Sequence, residues 1–294
     1  MTIIAGFKCQ EGVVLCADTQ ETVGDISKRN VPKLRFEPSG TLNNLQAGLI
    51  GSDLAVAFCG ATTNGPFMDE IMDSAWKNVQ TATSFEEACE SIKTSIKRSY
   101  KEFGEIYQPG YCPEAELIYG VKMQGQSRLF DALGPAVNEK SGYASGGIGS
   151  YLADFLVSRM YESHLSIRQC VIIAAYVLFQ TKEHVNGCGG DSHIAILRNK
   201  ESSGTLHWKR VEILTNLLEQ ADKDLGKVLI RHADLRLNQQ QFTQQSRETI
   251  DLLATLREHD RKELQLWENK WLGLLTDLPT DDLGLPLPSG GEKD

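Results

Sequence analysis

What this sequence lacks narrows its function before any motif is read. It has no excess of positive charge: 30 lysines and arginines stand against 39 acidic residues, for a formal charge of −9. The acids are spread along the chain, so no basic patch is offered to nucleic acid or to an anionic membrane. No apolar run is long enough to span a bilayer, since the longest, Cys170 to Phe179, reaches only about half the required length. Neither a basic n-region nor an apolar h-region follows Met1, so no secretory signal is visible. The cysteines number seven, an odd count with no CxxC pair, and no histidine carries an HExxH spacing. A disulfide framework or a metal site therefore has no motif behind it, and neither metal nor cofactor is expected. Most of the cysteines lie inside apolar stretches, as reduced thiols of a cytoplasmic protein do, with Cys188 the exception.

What is present alternates between two periodicities. Residues 2–9 read as a strand, Gln10-Glu11-Gly12 as a tight turn and residues 13–17 as a second strand, a hairpin at the very start of the chain. Residues 18–32 are polar and read as a loop, ending in a short strand at 33–36. Residues 53–59 are almost wholly apolar between turn residues, the mark of a buried strand. Helical spacing follows at 65–79. A second helix opens on Ser84, a candidate cap with Glu87 three residues later. Strands are expected at 115–123 and 127–132, then a glycine-rich turn leading into a helix over 150–161. Ser166 caps another helix, to about residue 184. Gly187-Cys188-Gly189-Gly190 then turns the chain into a strand at 192–198, with which 204–211 can pair. This order implies an α+β fold, a pair of sheet layers flanked by helices, rather than a parallel βαβ sheet.

The N-terminal hairpin carries a resemblance. Thr2-Ile-Ile-Ala-Gly6, then Gly12 to Gln20 with Asp18 near its end, then a loop to Lys33, resembles the opening of proteasome β-subunits of bacterial type. Phe58-Cys59-Gly60 at a strand end, Ser145-Gly146-Gly147 before a helix and Cys188-Gly189-Gly190 before a strand continue the match to about residue 212. The resemblance implies a four-layer αββα N-terminal-nucleophile hydrolase sandwich over residues 1–211. Beyond it, residues 212–277 are rich in Gln, Leu and charge, with apolar stripes at helical spacing, and read as a helical extension. Residues 278–294 hold three prolines and two adjacent glycines and read as a flexible tail.

The chemistry explains why such a family needs these residue types. A threonine hydroxyl is a poor nucleophile near neutrality and needs a base beside it. A free α-amine, of unperturbed pKa near 8, can serve through a bridging water, provided nothing precedes the threonine. Thr2 is therefore the implied nucleophile once Met1 is removed. Lys33 would favour the alkoxide, and Asp18 would hold the lysine charged and oriented. The Gly60 N–H would face the developing oxyanion. Phe58, Thr22 and Thr62 fall at substrate-binding positions, where a large Phe58 would favour small or medium apolar side chains.

Two departures weaken the match. The family places an aspartate three residues before a Ser-Gly-Gly, both supporting the N-terminal amine, where this chain has Val185 and Cys188. Glu183 or Asn186 would stand in if the loop is shifted, and Cys188 would keep a weak hydrogen bond. The other supporting serine falls on Ser145 if Ser-Gly-Gly is matched, but on Ile148 if Gly-Ile-Gly-Ser is.

The implied function is a threonine endopeptidase acting on polypeptide or peptide in a self-compartmentalising homo-oligomeric ring, with an ATP-dependent unfoldase as a partner. The alternatives are a catalytically silent proteasome-like scaffold subunit and an amidohydrolase acting on a small amide. The stripe of Leu264, Trp267, Trp271 and Leu274 is expected to dock the extension across a subunit boundary.

Overall fold

The computed structural model describes residues 2–23, 27–38, 54–106, 113–200, 203–206, 208–232, 238–244, 246–248, 250–251, 254–255 and 258. The tryptophan-bearing stripe and the tail expected at 278–294 lie outside the described residues.

Two five-stranded antiparallel sheets dominate the chain. The first runs β10-β1-β2-β11-β12, and the second β5-β6-β7-β8-β9. The expected N-terminal hairpin is β1 (Ile4–Cys9) and β2 (Gly12–Asp18), in the register Ile4↔Ala17 to Cys9↔Gly12. Gly12 has no alternative, because a Cβ there would sit 1.9 Å from the carbonyl oxygen of Leu197 on the neighbouring β11 (Ser192–Arg198). On the other side β10 (Tyr143–Gly146) pairs with β1, and β12 (Gly204–Leu206) closes the far edge.

The second sheet consists of β5 (Leu34–Pro38), β6 (Ala55–Thr62), β7 (Ala115–Met123), β8 (Gln126–Leu133) and β9 (Ala136–Lys140). Strand β6 shows why its sequence is apolar throughout. Ala55, Ala57, Cys59 and Ala61 join a core shared with Ile4, Val13, Leu15 and Ala17 of the first sheet. Val56 and Phe58, on the opposite face, join a second core with Phe67, Ile71, Ile92 and Ile96. Both faces are buried, so the period of two is carried by side-chain size rather than polarity.

The sheets approach one another through glycines. A Cβ on Gly6 would lie 2.7 Å from Leu129 and 2.8 Å from Ile118, and one on Gly120 would lie 2.6 Å from Leu197. The second sheet's other face carries α1 (Gly65–Val79) and α2 (Phe85–Ile106), the former capped by Asn64, whose side chain accepts the Phe67 N–H at 3.2 Å. Against the first sheet lies α4 (Ile167–His184), opened by a complete Ser166/Gln169 capping box. Between β10 and α4 comes α3 (Ser150–Met160).

Three expectations change. The loop read at 18–32 contains a separate ribbon of β3 (Gln20–Val23) and β4 (Ser27–Asn30), held in part by the Glu21–Arg29 ion pair at 2.6 Å. Strand β9 also escaped the reading, and both are too short and too rich in polar residues to leave a hydrophobic alternation. The hairpin strand at 204–211 stops at Leu206, because Trp208 starts α5 (Trp208–His232). Val211 and Leu214 are buried at helical spacing there, and that period prevails over alternation.

The boundary expected at residue 211 falls in the first turn of α5. This helix folds back on α4, where Asp222 accepts hydrogen bonds from Tyr176 at 2.9 Å and Gln180 at 3.3 Å. This part of the extension thus packs on its own chain, while Leu225, Leu229 and Ile230 remain exposed. Among the described residues, no helix is long and apolar enough to cross a membrane.

Candidate functional site

The hairpin register brings the site together. Ile4 pairs with Ala17, so Asp18 at the end of β2 falls beside Ile3. The Asp18 N–H donates to the Ile3 carbonyl at 3.2 Å, and the Ile3 N–H returns to Asp18 Oδ1 at 3.2 Å. Thr2 is thereby held next to the carboxylate, to whose Oδ1 its hydroxyl donates. Lys33, just ahead of β5, reaches in from the second sheet. Its Nζ donates to Thr2 Oγ1 at 2.5 Å, to Asp18 Oδ1 at 2.8 Å and to the Gln20 carbonyl. Gly189 completes the carboxylate's partners, its N–H donating to Oδ2 at 2.8 Å. Thr2 is 4% exposed and Asp18 fully buried, so these bonds act in a medium that strengthens them.

The electrostatics follow from that burial. Desolvation draws the Lys33 pKa below its ordinary value, and the adjacent Asp18 charge works against the shift. A buried lysine poised this way can take part in proton movement at the hydroxyl it touches. Cys188 is pushed up to about 12, first by burial and then by Asp18, so near neutrality it is a thiol and only a weak donor.

The glycine loop facing Thr2 is residues 147–149. The Gly149 N–H donates to the Thr2 carbonyl at 3.1 Å, and a Cβ on Gly147 would lie 2.4 Å from that same oxygen. Gly147 also has φ of +80°, a conformation that disfavours any side chain. Ser145 is not placed at Thr2: it pairs with Ala5 across the β1–β10 ladder, and its hydroxyl donates to Asp154 of α3 at 2.6 Å. The residues of this run that meet Thr2 are Gly147 and Gly149, while Ile148 is exposed. Gly147→Ala is expected to cost about 1–3 kcal/mol from the positive φ alone. It should also displace Thr2, which urea unfolding combined with a rate assay would report.

Gly60 adjoins Lys33, while Phe58, Thr62 and Val185 find their contacts elsewhere. The Gly60 N–H, assigned from the sequence to the oxyanion, donates to the Lys33 carbonyl at 3.0 Å, and its Cβ position is filled by Met68 and Met72. Phe58 is wholly buried on the helix-facing side of β6, its ring 6.1 Å from that of Tyr119. Thr62 ties the end of β6, donating to the Glu114 carbonyl at 2.9 Å and accepting the Asn64 N–H at 2.9 Å. Thr22 has its backbone in β3 opposite Lys28, and its side chain lies outside the described residues. Glu183 is exposed on α4, within electrostatic reach of Lys223 of α5. Val185 is buried at the end of α4, its N–H on the Thr181 carbonyl at 2.9 Å.

The sequence reading missed three neighbours of the site. Glu116 accepts the Gly147 N–H at 2.7 Å. The Gln20 carbonyl receives Lys33. Lys182 donates to Ser192, the strand partner of Asp18, at 3.2 Å. None of the three carries a sequence signal, and Lys182 lies in the polar last turn of α4. Among the described residues no three His, Cys, Asp or Glu side chains gather as a metal site.

The fold, mixed α and β around two antiparallel sheets, is shared with solved structures. Anbu structures are among them. The Anbu (ancestral beta-subunit) from Yersinia bercovieri matches at a TM-score of 0.60 and 14% identity, over 81% of this chain and 100% of that one. A Gly-1 mutant of Anbu from Hyphomicrobium sp. strain MC1 matches at 0.61 and 14%, over 77% and 97%. The helical assembly of the Anbu complex from Pseudomonas aeruginosa matches at 0.62 and 11%, over 78% and 96%. No protein-family model matches the sequence, and no curated protein does. At such identities the likeness is one of fold.

Proposed function

We propose that this chain is a threonine hydrolase of the N-terminal-nucleophile type, cleaving peptide bonds with Thr2 after Met1 is removed. The observation that carries the reading is the three-way contact of Thr2, Asp18 and Lys33, in which one hydroxyl receives a proton donor and faces a buried carboxylate. Thr2 Oγ attacks the scissile carbonyl carbon as its proton passes through a water to the freed α-amine. Lys33 stabilises the charge left on oxygen, and Asp18 holds Lys33 in place. The C–N bond then breaks as the amine nitrogen takes that proton, leaving an ester on Thr2 that water hydrolyses. To face the oxyanion in the substrate complex, the Gly60 N–H would have to leave the Lys33 carbonyl.

The same reading takes the two sheets with α1 and α2 on one side and α3 and α4 on the other as a four-layer αββα sandwich. It also takes the chain as self-associating in a ring-like assembly in the cytoplasm, served by an unfoldase. The helical assembly of the Pseudomonas aeruginosa Anbu complex supports self-association. A second reading, a silent scaffold subunit, is favoured by Val185 in place of an aspartate and by the engaged Gly60 N–H. Intact mass separates the two. The hydrolase requires loss of one methionine and a free Thr2 amine, whereas uniform retention of Met1 would leave no amine to act.

A further inference from the structure

Glu116 is a carboxylate the mechanism does not use, and it lies on the sheet opposite Thr2. It sits at the start of β7, where the second sheet passes the end of β10. Its Oε2 would lie 2.5 Å from a Cβ on Gly146 and accepts the Gly147 N–H at 2.7 Å. The β1–β10 ladder ends at the pair Ile4↔Gly146, so Gly147 is the first residue without a strand partner. It leaves the ladder at positive φ, directly against the Thr2 carbonyl. Its own carbonyl accepts the Ser150 N–H at 3.1 Å, and two residues on, the Gly149 N–H fastens to Thr2.

We propose that Glu116 is a positioning residue, which fixes the backbone of Thr2 by anchoring the 147–149 loop from the opposite sheet. A carboxylate makes a stronger bond to an N–H than a neutral acceptor does. The glycine at 146 gives it room, and the glycine at 147 lets the loop close on Thr2. The hydroxyl of Thr2 is set by Asp18 and Lys33, but the carbonyl end of the same residue is set by this loop. Loss of the anchor would free one end of the nucleophile while leaving its hydroxyl partners in place. Its catalytic consequence rests on the reading of Thr2 as nucleophile.

The test compares Glu116→Ala and Glu116→Gln in the full chain by amide exchange and by the rate at which a peptide epoxyketone labels Thr2. In the alanine variant, exchange at Gly147 and Gly149 should rise about tenfold or more, with α1 and α2 unaffected. Labelling should slow by about tenfold, and kcat for a fluorogenic peptide should fall more than KM changes. Glutamine keeps an acceptor oxygen within reach, so Glu116→Gln should restore both readouts to within about threefold of wild type. If the alanine variant fails to fold, Glu116→Asp, one methylene short of Gly147, carries the same expectation. Unchanged exchange overturns the proposal, and so does raised exchange with undiminished labelling. A wild type that takes no label would refute the hydrolase reading, while Gly149 exchange would still decide whether Glu116 holds the Thr2 backbone.

Discussion

Thr2→Ala protein should hydrolyse peptides at least about a thousandfold more slowly than wild type, because no other group supplies the attacking oxygen. The fold should survive. The substitution removes a hydroxyl that bridges Asp18 and Lys33, but those two remain paired at 2.8 Å, and Gly189 and Ile3 still donate to the carboxylate. A loss of about 1 kcal/mol is the scale for one such hydrogen bond. Thr2→Ser, which keeps the oxygen, should retain measurable turnover. Unchanged rates in the alanine variant, measured on protein with a wild-type unfolding midpoint, would end the mechanism.

Lys33 should prove nearly as sensitive, and arginine should not replace it. Nζ makes its three bonds to Thr2, Asp18 and the Gln20 carbonyl from one compact point, which a planar fork of donors cannot occupy. Lys33→Arg should lower kcat by about a hundredfold or more, a scale set by loss of an electrostatic donor at the reacting oxygen. Lys33→Ala should do at least as much and also destabilise the chain, since it leaves the fully buried Asp18 without its cation. Removing one partner of a buried pair costs about 3–5 kcal/mol. Steady-state kinetics alongside urea unfolding separates the two effects. An arginine variant at near-normal kcat would show that Lys33 supplies charge balance alone.

The parts of this site that were legible in the sequence are those fixed by local pattern. Thr2 and Asp18 are joined by a hairpin whose tight turn sets its register, so their meeting follows once the turn is placed. Strand β6 could be recognised because burial on both faces left no polar residue from Ala55 to Ala61. Other parts depend on contacts between elements far apart in the chain. Nothing local says which residues of the glycine-rich run 145–149 meet Thr2, and only the folded loop brings Gly147 and Gly149 there. Glu116 looks like an ordinary solvent-facing acid of a strand until the first sheet is laid against it. The Gly60 N–H could be placed in a strand from sequence, but its engagement by Lys33 depends on how β5 meets β6. The β3–β4 ribbon has mostly polar residues, so its pairing leaves no hydrophobic trace.

Covalent capture of the nucleophile tests the central claim most directly. Wild-type protein incubated with a peptide epoxyketone, digested and analysed by mass spectrometry should carry one adduct, on the fragment beginning at Thr2. Thr2→Ala protein should carry none. A folded wild type that takes no adduct at Thr2, or takes it only on a cysteine such as Cys188, would contradict an N-terminal threonine nucleophile.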